Sequence, residues 1–194
     1  MTSPRSRLRV LLALTAACAM ATACTSLVTP ARAQTADDTR ALANLAHCYV
    51  EGVDAIGAGK VDAGAAIWKQ CFSDDVAFSM SFGPSYSVAC PSDKCPLPAT
   101  MPGLAKRVAM ARGTYERAGY VATSHHVTTL GIDQSSADSA RIKGHLQAWH
   151  FRKDGTAVLG LGTWEVQARK TGDGWRIVEE KLESPLRAVI PKAE

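Results

Sequence analysis

Four consecutive runs in the second half of the chain alternate apolar and polar residues with a period of two. They cover Tyr120–Asp133, Ser139–Arg152, Thr156–Lys170 and Trp175–Glu183. Between them stand Gln134-Ser135-Ser136, Lys153-Asp154-Gly155 and Thr171-Gly172-Asp173-Gly174, each suited to a hairpin turn. This pattern predicts a four-stranded antiparallel meander with one face against a core. The glycines at 144, 160 and 162 let such strands curl, because a residue without Cβ tolerates a sharp bend.

The first half has helical spacing instead. Leu42, Leu45, Tyr49, Val53 and Ile56 form one stripe of a helix over residues 37–57, capped by Asp37 or Asp38. His47, Glu51 and Asp54 then fall on the opposite face, where a solvated polar surface is the expectation. A second helix, capped by Asp62, runs to Cys71. A strand follows from Val76 to Phe82, then a proline-containing loop to Pro102, and a third helix from Leu104 to Ala118. On that helix Lys106, Arg107, Arg112, Glu116 and Arg117 are assigned to the wet side. The fold class is therefore α+β: a cone-shaped, curved antiparallel sheet, with three helices ahead of the meander enclosing a pocket.

Residues 1–33 read as a secretion signal. Arg5, Arg7 and Arg9 precede the apolar run Val10–Ala23, and Ala31-Arg32-Ala33 places small residues before a cleavage point at Gln34. The run is too short to span a bilayer. A rival assignment makes Ala21-Thr22-Ala23-Cys24 a lipoprotein signal, anchoring the protein through Cys24, and export to the periplasm or beyond follows either way. Residues 35–183 form the expected domain and 184–194 a C-terminal tail. The full chain holds 22 Lys and Arg against 18 Asp and Glu. Four of those arginines and none of the acids lie in the signal, so the remainder is balanced and offers no basic surface for nucleic acid.

Outside the signal stand Cys48, Cys71, Cys90 and Cys95. An even number in an exported chain favours disulfides over metal ligation. Three pairings are possible, and the preferred set is Cys90–Cys95, closing Pro91-Ser92-Asp93-Lys94, with Cys48–Cys71 joining the first two helices. No metal site is expected, because the cysteines lack a second short-spaced pair and no histidine stands beside Cys90 or Cys95.

The candidates for chemistry are histidines. In the strand Ser139–Arg152, Ile142, Leu146, Ala148 and His150 share one parity, so His150 points inward and His145 to water. An inward imidazole serves either as a proton carrier near neutral pH or as a hydrogen-bonded core residue. His125 and His126 are adjacent and face opposite sides. Parity leaves open which one enters the pocket, since a bulge can reverse the phase. Tyr49, on the buried stripe, supplies a phenol able to polarise a carbonyl. Trp164, Thr129 and Leu146 are the expected ligand-contacting wall. The chain has no phosphate loop, nucleophile elbow or dinucleotide fingerprint.

These elements resemble the SnoaL-like branch of the nuclear-transport-factor-2-like superfamily, which includes polyketide cyclases, scytalone dehydratase and ketosteroid isomerase. The resemblance covers about residues 38–183. It rests on Gly57-Ala58-Gly59-Lys60-Val61-Asp62, Cys71-Phe72-Ser73-Asp74-Asp75-Val76, Thr123-Ser124-His125-His126-Val127-Thr128-Thr129, the strand ending at His150, and Gly162-Thr163-Trp164 ahead of Asp173-Gly174-Trp175-Arg176-Ile177. It implies a cone fold, pairing of two copies as a homodimer, and catalytic roles for His125 and His150. The implied activity is a cofactor-independent lyase or isomerase acting on a small apolar carbonyl or hydroxyl compound. The alternative is a non-catalytic ligand-binding or dimerisation module. Where dehydratase-like members carry an aspartate at the end of the first helix this chain has Gly57, with Asp54 one turn earlier on the face assigned to water. Their asparagine after the histidine motif is Thr129 here.

Overall fold

The computed structural model describes residues 35–82 and 101–192. The signal segment and the Cys90–Cys95 loop lie outside the described residues. Helix α1 spans Ala36–Gly57 and α2 spans Val61–Trp68. Strand β1 is Phe72–Phe82 and β2 is the short Met101–Pro102, followed by helix α3, Leu104–Ala118. The meander then runs through β3 (Tyr120–Gln134), β4 (Ser139–Arg152), β5 (Ala157–Thr171) and β6 (Gly174–Ile190).

The sheet order is β2-β1-β6-β5-β4-β3. All neighbours are antiparallel except β1 and β6, which pair in parallel, so the sheet is mixed rather than wholly antiparallel. Period-two alternation specifies a strand but not its partner's direction. β1 is separated from the meander by α3 and reaches the sheet across its far edge, where the direction is set by topology.

Two helix starts differ from the sequence expectation. The cap of α1 is Thr35, whose hydroxyl accepts the Asp38 N–H. Asp38 instead accepts from Lys170 Nζ at 2.6 Å and Trp175 Nε1 at 2.8 Å, tying the first turn to the β5–β6 hairpin. Helix α2 begins at Val61, behind Lys60, and Asp62 lies in its first turn rather than at the cap. At the other end, β6 continues past Glu183 to Ile190, where Leu186–Ile190 pair with Ala157–Leu161. Open hydrogen-bonding groups on β5 recruit these residues into the sheet.

The core lies between α1 and the sheet. The stripe Leu42, Leu45, Tyr49, Val53 and Ile56 is buried as its spacing requires, against Trp68, Phe72, Trp164 and Ile177. Two glycines allow α1 to sit deep. A Cβ at Gly52 would collide with the Trp68 indole, and one at Gly57 would collide with the Thr123 side chain on β3. A disulfide joins Cys48 on α1 to Cys71 at the entry to β1, with Cα atoms 6.4 Å apart. The Cys71 carbonyl also accepts the Ile177 N–H at 2.7 Å, so one short segment ties α1, β1 and β6 together.

Candidate active site

Between α1, α3 and the concave face of the sheet lies a cavity of about 160 Å³. Tyr49 contributes from α1; Arg107, Met110, Ala111 and Tyr115 from α3; His125 from β3; Leu146, Ala148 and His150 from β4; and Leu182, Ser184 and Arg187 from β6. Most of this wall is apolar, with a few polar groups converging on it, the usual make-up of a small-molecule site.

His125 is 5 % exposed, whereas His126 on the opposite face is exposed. The parity question is thus settled by register: His125 stands opposite Ala148 and Thr123 opposite His150, all on the concave face. A bulge between Thr128 and Gly131 then shifts the phase, which lets the later Ile132 share the core with Ile142.

Asp54 supplies the acidic partner. Its Oδ1 lies 2.7 Å from His125 Nδ1 and accepts the Thr123 hydroxyl at 2.8 Å, while Oδ2 accepts the His125 backbone N–H at 3.0 Å. A carboxylate only accepts, so the imidazole proton is held on Nδ1 and Nε2 carries the lone pair. Three donors from two residues fix the carboxylate, and the carboxylate fixes the ring. Assignment of Asp54 to the wet face is therefore corrected. A single stripe supposes one packing partner, but α1 packs against both α2 and the sheet, and β3 at the sheet's edge reaches the residues that flank the stripe. Gly57 brings β3 near enough that a residue flanking the stripe reaches the strand. His47 and Glu51 do remain on the solvated face, 3.1 Å apart.

His150 meets His125 edge to face, with ring centroids 5.3 Å apart. It packs against Tyr120 at 4.7 Å and Tyr115 at 5.6 Å, and its Nδ1 lies 3.4 Å from the Val158 carbonyl. Burial, and then the neighbouring His125, push its pKa down to about 4, so it is neutral at physiological pH. Burial pushes the Tyr49 phenol well above its ordinary range, and Glu180 adds to the effect; Tyr115 is raised mainly by burial. Both phenols stay protonated and present O–H groups. Tyr120 accepts from Arg187 Nη2 at 2.6 Å.

Beneath these groups lies a buried ion pair. Arg107 Nε donates to Glu180 Oε2 at 2.7 Å and Nη2 to Oε1 at 3.3 Å, with the two side chains 3 % and 0 % exposed. Trp164 Nε1 also donates to Glu180 Oε1, at 3.3 Å. The guanidinium carbon sits 4.0 Å from the Phe78 ring centroid and 4.7 Å from that of Trp68. Arg107 was expected on the wet side of α3, and that is corrected. Its spacing with Leu104 and Ala111 places it on the buried stripe, and a fully buried acid compensates its charge. Glu180 faces inward because the pairing slips between Ile177 and Glu179, reversing the parity set by Trp175 and Ile177.

Of the other residues expected at the site, Tyr49 and Leu146 line the cavity. Trp164 does not. It is fully buried behind Tyr49, the two rings stacked at 5.3 Å, and acts through Glu180 and Tyr49 rather than at the cavity wall. The Thr129 side chain lies outside the described part of the structure. Tyr115, Tyr120 and Arg187 join the site without a sequence signal that separated them from other helix and strand residues. Among the described residues, no group of three histidine, cysteine or carboxylate side chains comes together as a metal ion would need.

A three-helix, mixed-sheet cone holding an apolar cavity with a carboxylate-backed histidine defines a class of small-molecule pocket domain. The profile of the SnoaL-like domain matches residues 34–181, and the chain belongs to that family. No protein of curated description matches the chain. Solved structures share the fold at low identity. The Kfla4162 protein from Kribbella flavida is 21% identical, with 78% of this chain and 93% of that one covered and a TM-score of 0.60. A provisionally assigned scytalone dehydratase from Novosphingobium aromaticivorans is 18% identical, covering 81% and 90%, at 0.57. Hexachlorocyclohexane dehydrochlorinase LinA-type3 from Novosphingobium barchaimii is 12% identical, covering 81% and 93%, at 0.62.

Proposed function

We propose that this is an exported, cofactor-independent lyase or isomerase in which the Asp54–His125 dyad removes a proton from a small compound held in the cavity. The observation that carries the reading is the 2.7 Å contact between Asp54 and His125 Nδ1, on a ring that lines the cavity. Asp54 fixes the tautomer and stabilises the imidazolium as His125 Nε2 takes the proton. His150 orients the substrate as a neutral hydrogen-bonding group, since its lowered pKa leaves little imidazolium to act as an acid. The proton returns from His125, either to another carbon or to a departing oxygen, and Tyr49 and Tyr115 hold the substrate's oxygen through their O–H groups. The solved dehydratase and dehydrochlorinase of this fold, both named for eliminations, are in keeping with that chemistry.

The test is proton NMR in heavy water with a panel of small ketones and β-hydroxy ketones. The wild type should exchange or eliminate an acidic C–H, and Asp54→Asn and His125→Gln should each lose about 10²–10⁴-fold. An undiminished rate in His125→Gln would sink the proposal. A non-catalytic binding module, the alternative, would give saturable binding with no exchange in any compound. Export is supported by the basic, apolar and small-residue segments of residues 1–33, and Gln34 at the N-terminus of the native protein is its test. Exposed Phe151, Leu161 and Leu186 support pairing of two copies. Light scattering that shows only monomer would exclude it.

A further inference from the structure

The proposed proton transfer uses the histidines and phenols and leaves the buried Arg107 without a part. A guanidinium has five N–H donors in a rigid fork. Here Nε and Nη2 are committed to Glu180, and the flat group lies over the Phe78 and Trp68 rings, which prevents it from swinging away. The remaining amino group, Nη1, has no acceptor among the described residues, and it is absent from the buried polar atoms that lack a partner, Ser73 Oγ and Gln134 Oε1. Arg107 is 3 % exposed and forms part of the cavity wall, so the open part of its surface is the part that meets the cavity. The groups facing the same space from α1 and α3 are the phenols of Tyr49 and Tyr115, both protonated. Those from the sheet are His125, His150, Ser184 and Arg187, the last bonded to Tyr120. Asp54 is turned to Thr123 and His125, and both Glu180 oxygens are occupied. The polar lining is thus rich in donors and nearly free of anionic acceptors.

We infer that Arg107 is a ligand-binding residue whose Nη1 edge, with the Tyr49 hydroxyl, receives a planar oxyanion of the ligand: a carboxylate, a phenolate or the enolate oxygen formed when a proton is lost beside a carbonyl. This rests on the cavity being the ligand site. In the enolate case the C–H bond breaks, its proton passes to His125 Nε2, the new C=C takes that electron pair, and the carbonyl π pair moves to the oxygen held by Arg107. Glu180 then has a positioning role, holding the fork in plane with two bonds while its charge tempers, without cancelling, the donor strength of Nη1. A structural ion pair alone would have no need to lie at a cavity wall, where a pair of apolar residues would serve stability as well.

The probe is 4-nitrophenol, whose phenol and phenolate differ in visible absorption. Bound to the wild type, it should ionise at least tenfold more readily than in water, a fall of about one unit in its apparent pKa. Arg107→Met combined with Glu180→Gln removes both charges together and leaves neither buried alone. This double variant should bind the probe with no preference for phenolate. His125→Gln should keep the preference, which separates this anchor from the proton-transfer role of the dyad. A preference that persists in the double variant, or disappears in His125→Gln, would overturn the assignment to Arg107. Should the double variant not fold, the wild type alone decides. Neutral 4-nitroanisole binding as tightly as 4-nitrophenol above its ionisation would refute the oxyanion site, and at least tenfold weaker binding would sustain it.

Discussion

Truncation of Glu180 to alanine should be among the most damaging single substitutions in the protein. It removes the partners of Arg107 at 2.7 and 3.3 Å and leaves a guanidinium that is 3 % exposed without a counter-charge. Loss of one member of a buried pair costs about 3–5 kcal/mol. The Trp164 indole N–H also loses its acceptor, and an orphaned buried donor adds about 1 kcal/mol or more. Contact with the cavity lets water reach one edge of Arg107, so the lower end of the range applies, about 3–4 kcal/mol in total. At about 2–4 °C per kcal/mol for a domain of this size, Tm should fall by roughly 10 °C. Arg107→Met alone should cost a comparable amount, since Glu180 would then be the isolated charge. The charge-free double variant Arg107→Met/Glu180→Gln should lie within about 1–2 kcal/mol of wild type. Urea unfolding followed by tryptophan fluorescence measures the wild type and all three variants. A Glu180→Ala variant within about 1 kcal/mol of wild type would show that the pair is solvated and the reasoning wrong. A double variant worse than either single one would refute it equally.

Three further outcomes follow from the geometry. Reduction of Cys48–Cys71, or its replacement by alanines, releases a loop whose ends are 23 residues apart and should cost about 3 kcal/mol in denaturant unfolding; an unchanged midpoint would contradict this. His150 has its folded pKa lowered to about 4 from 6.5, so the unfolded chain binds the extra proton first. Its contribution to stability is therefore present above about pH 6.5 and is lost as pH falls towards 4, on the order of 2–3 kcal/mol. His150→Gln should flatten that part of the stability curve, and identical curves would refute the assignment. Gly57→Ala drives a methyl into Thr123 and should separate α1 from β3, which lowers both stability and ligand-dependent proton exchange; full activity in that variant would show that the close approach is not needed.

The meander was legible because β4 and β5 keep a period of two over most of their length and turn residues separate its strands, and α1 because its apolar stripe is regular. His150 could be placed by parity within β4, which pairs with β5 without a register shift. Parity failed where the ladder slips: the β6 irregularity hid Glu180, and the β3 bulges left His125 and His126 undecided until the pairing with β4 was known. Asp54 and Arg107 were hidden for another reason. A charged side chain beside an apolar stripe reads as solvent-facing unless its partner is known, and those partners stand 71 and 73 residues away in the chain. The direction of β1 in the sheet was invisible for the same kind of reason, being a property of the route of the chain and not of any local pattern.

The parallel pairing of β1 with β6 also governs when this protein can acquire its shape. Apart from the two-residue β2, β1 has no other strand beside it, and Phe72 aligns with Ile177 roughly a hundred residues downstream. During synthesis, α1, α2 and β1 emerge with an unsatisfied strand edge and no floor for the pocket, since Glu180 and Leu182 come last. Neither half of the chain can reach its final structure alone, and the closing contacts carry a large loop-closure cost. A polypeptide built this way stays open until its C-terminal strand is available.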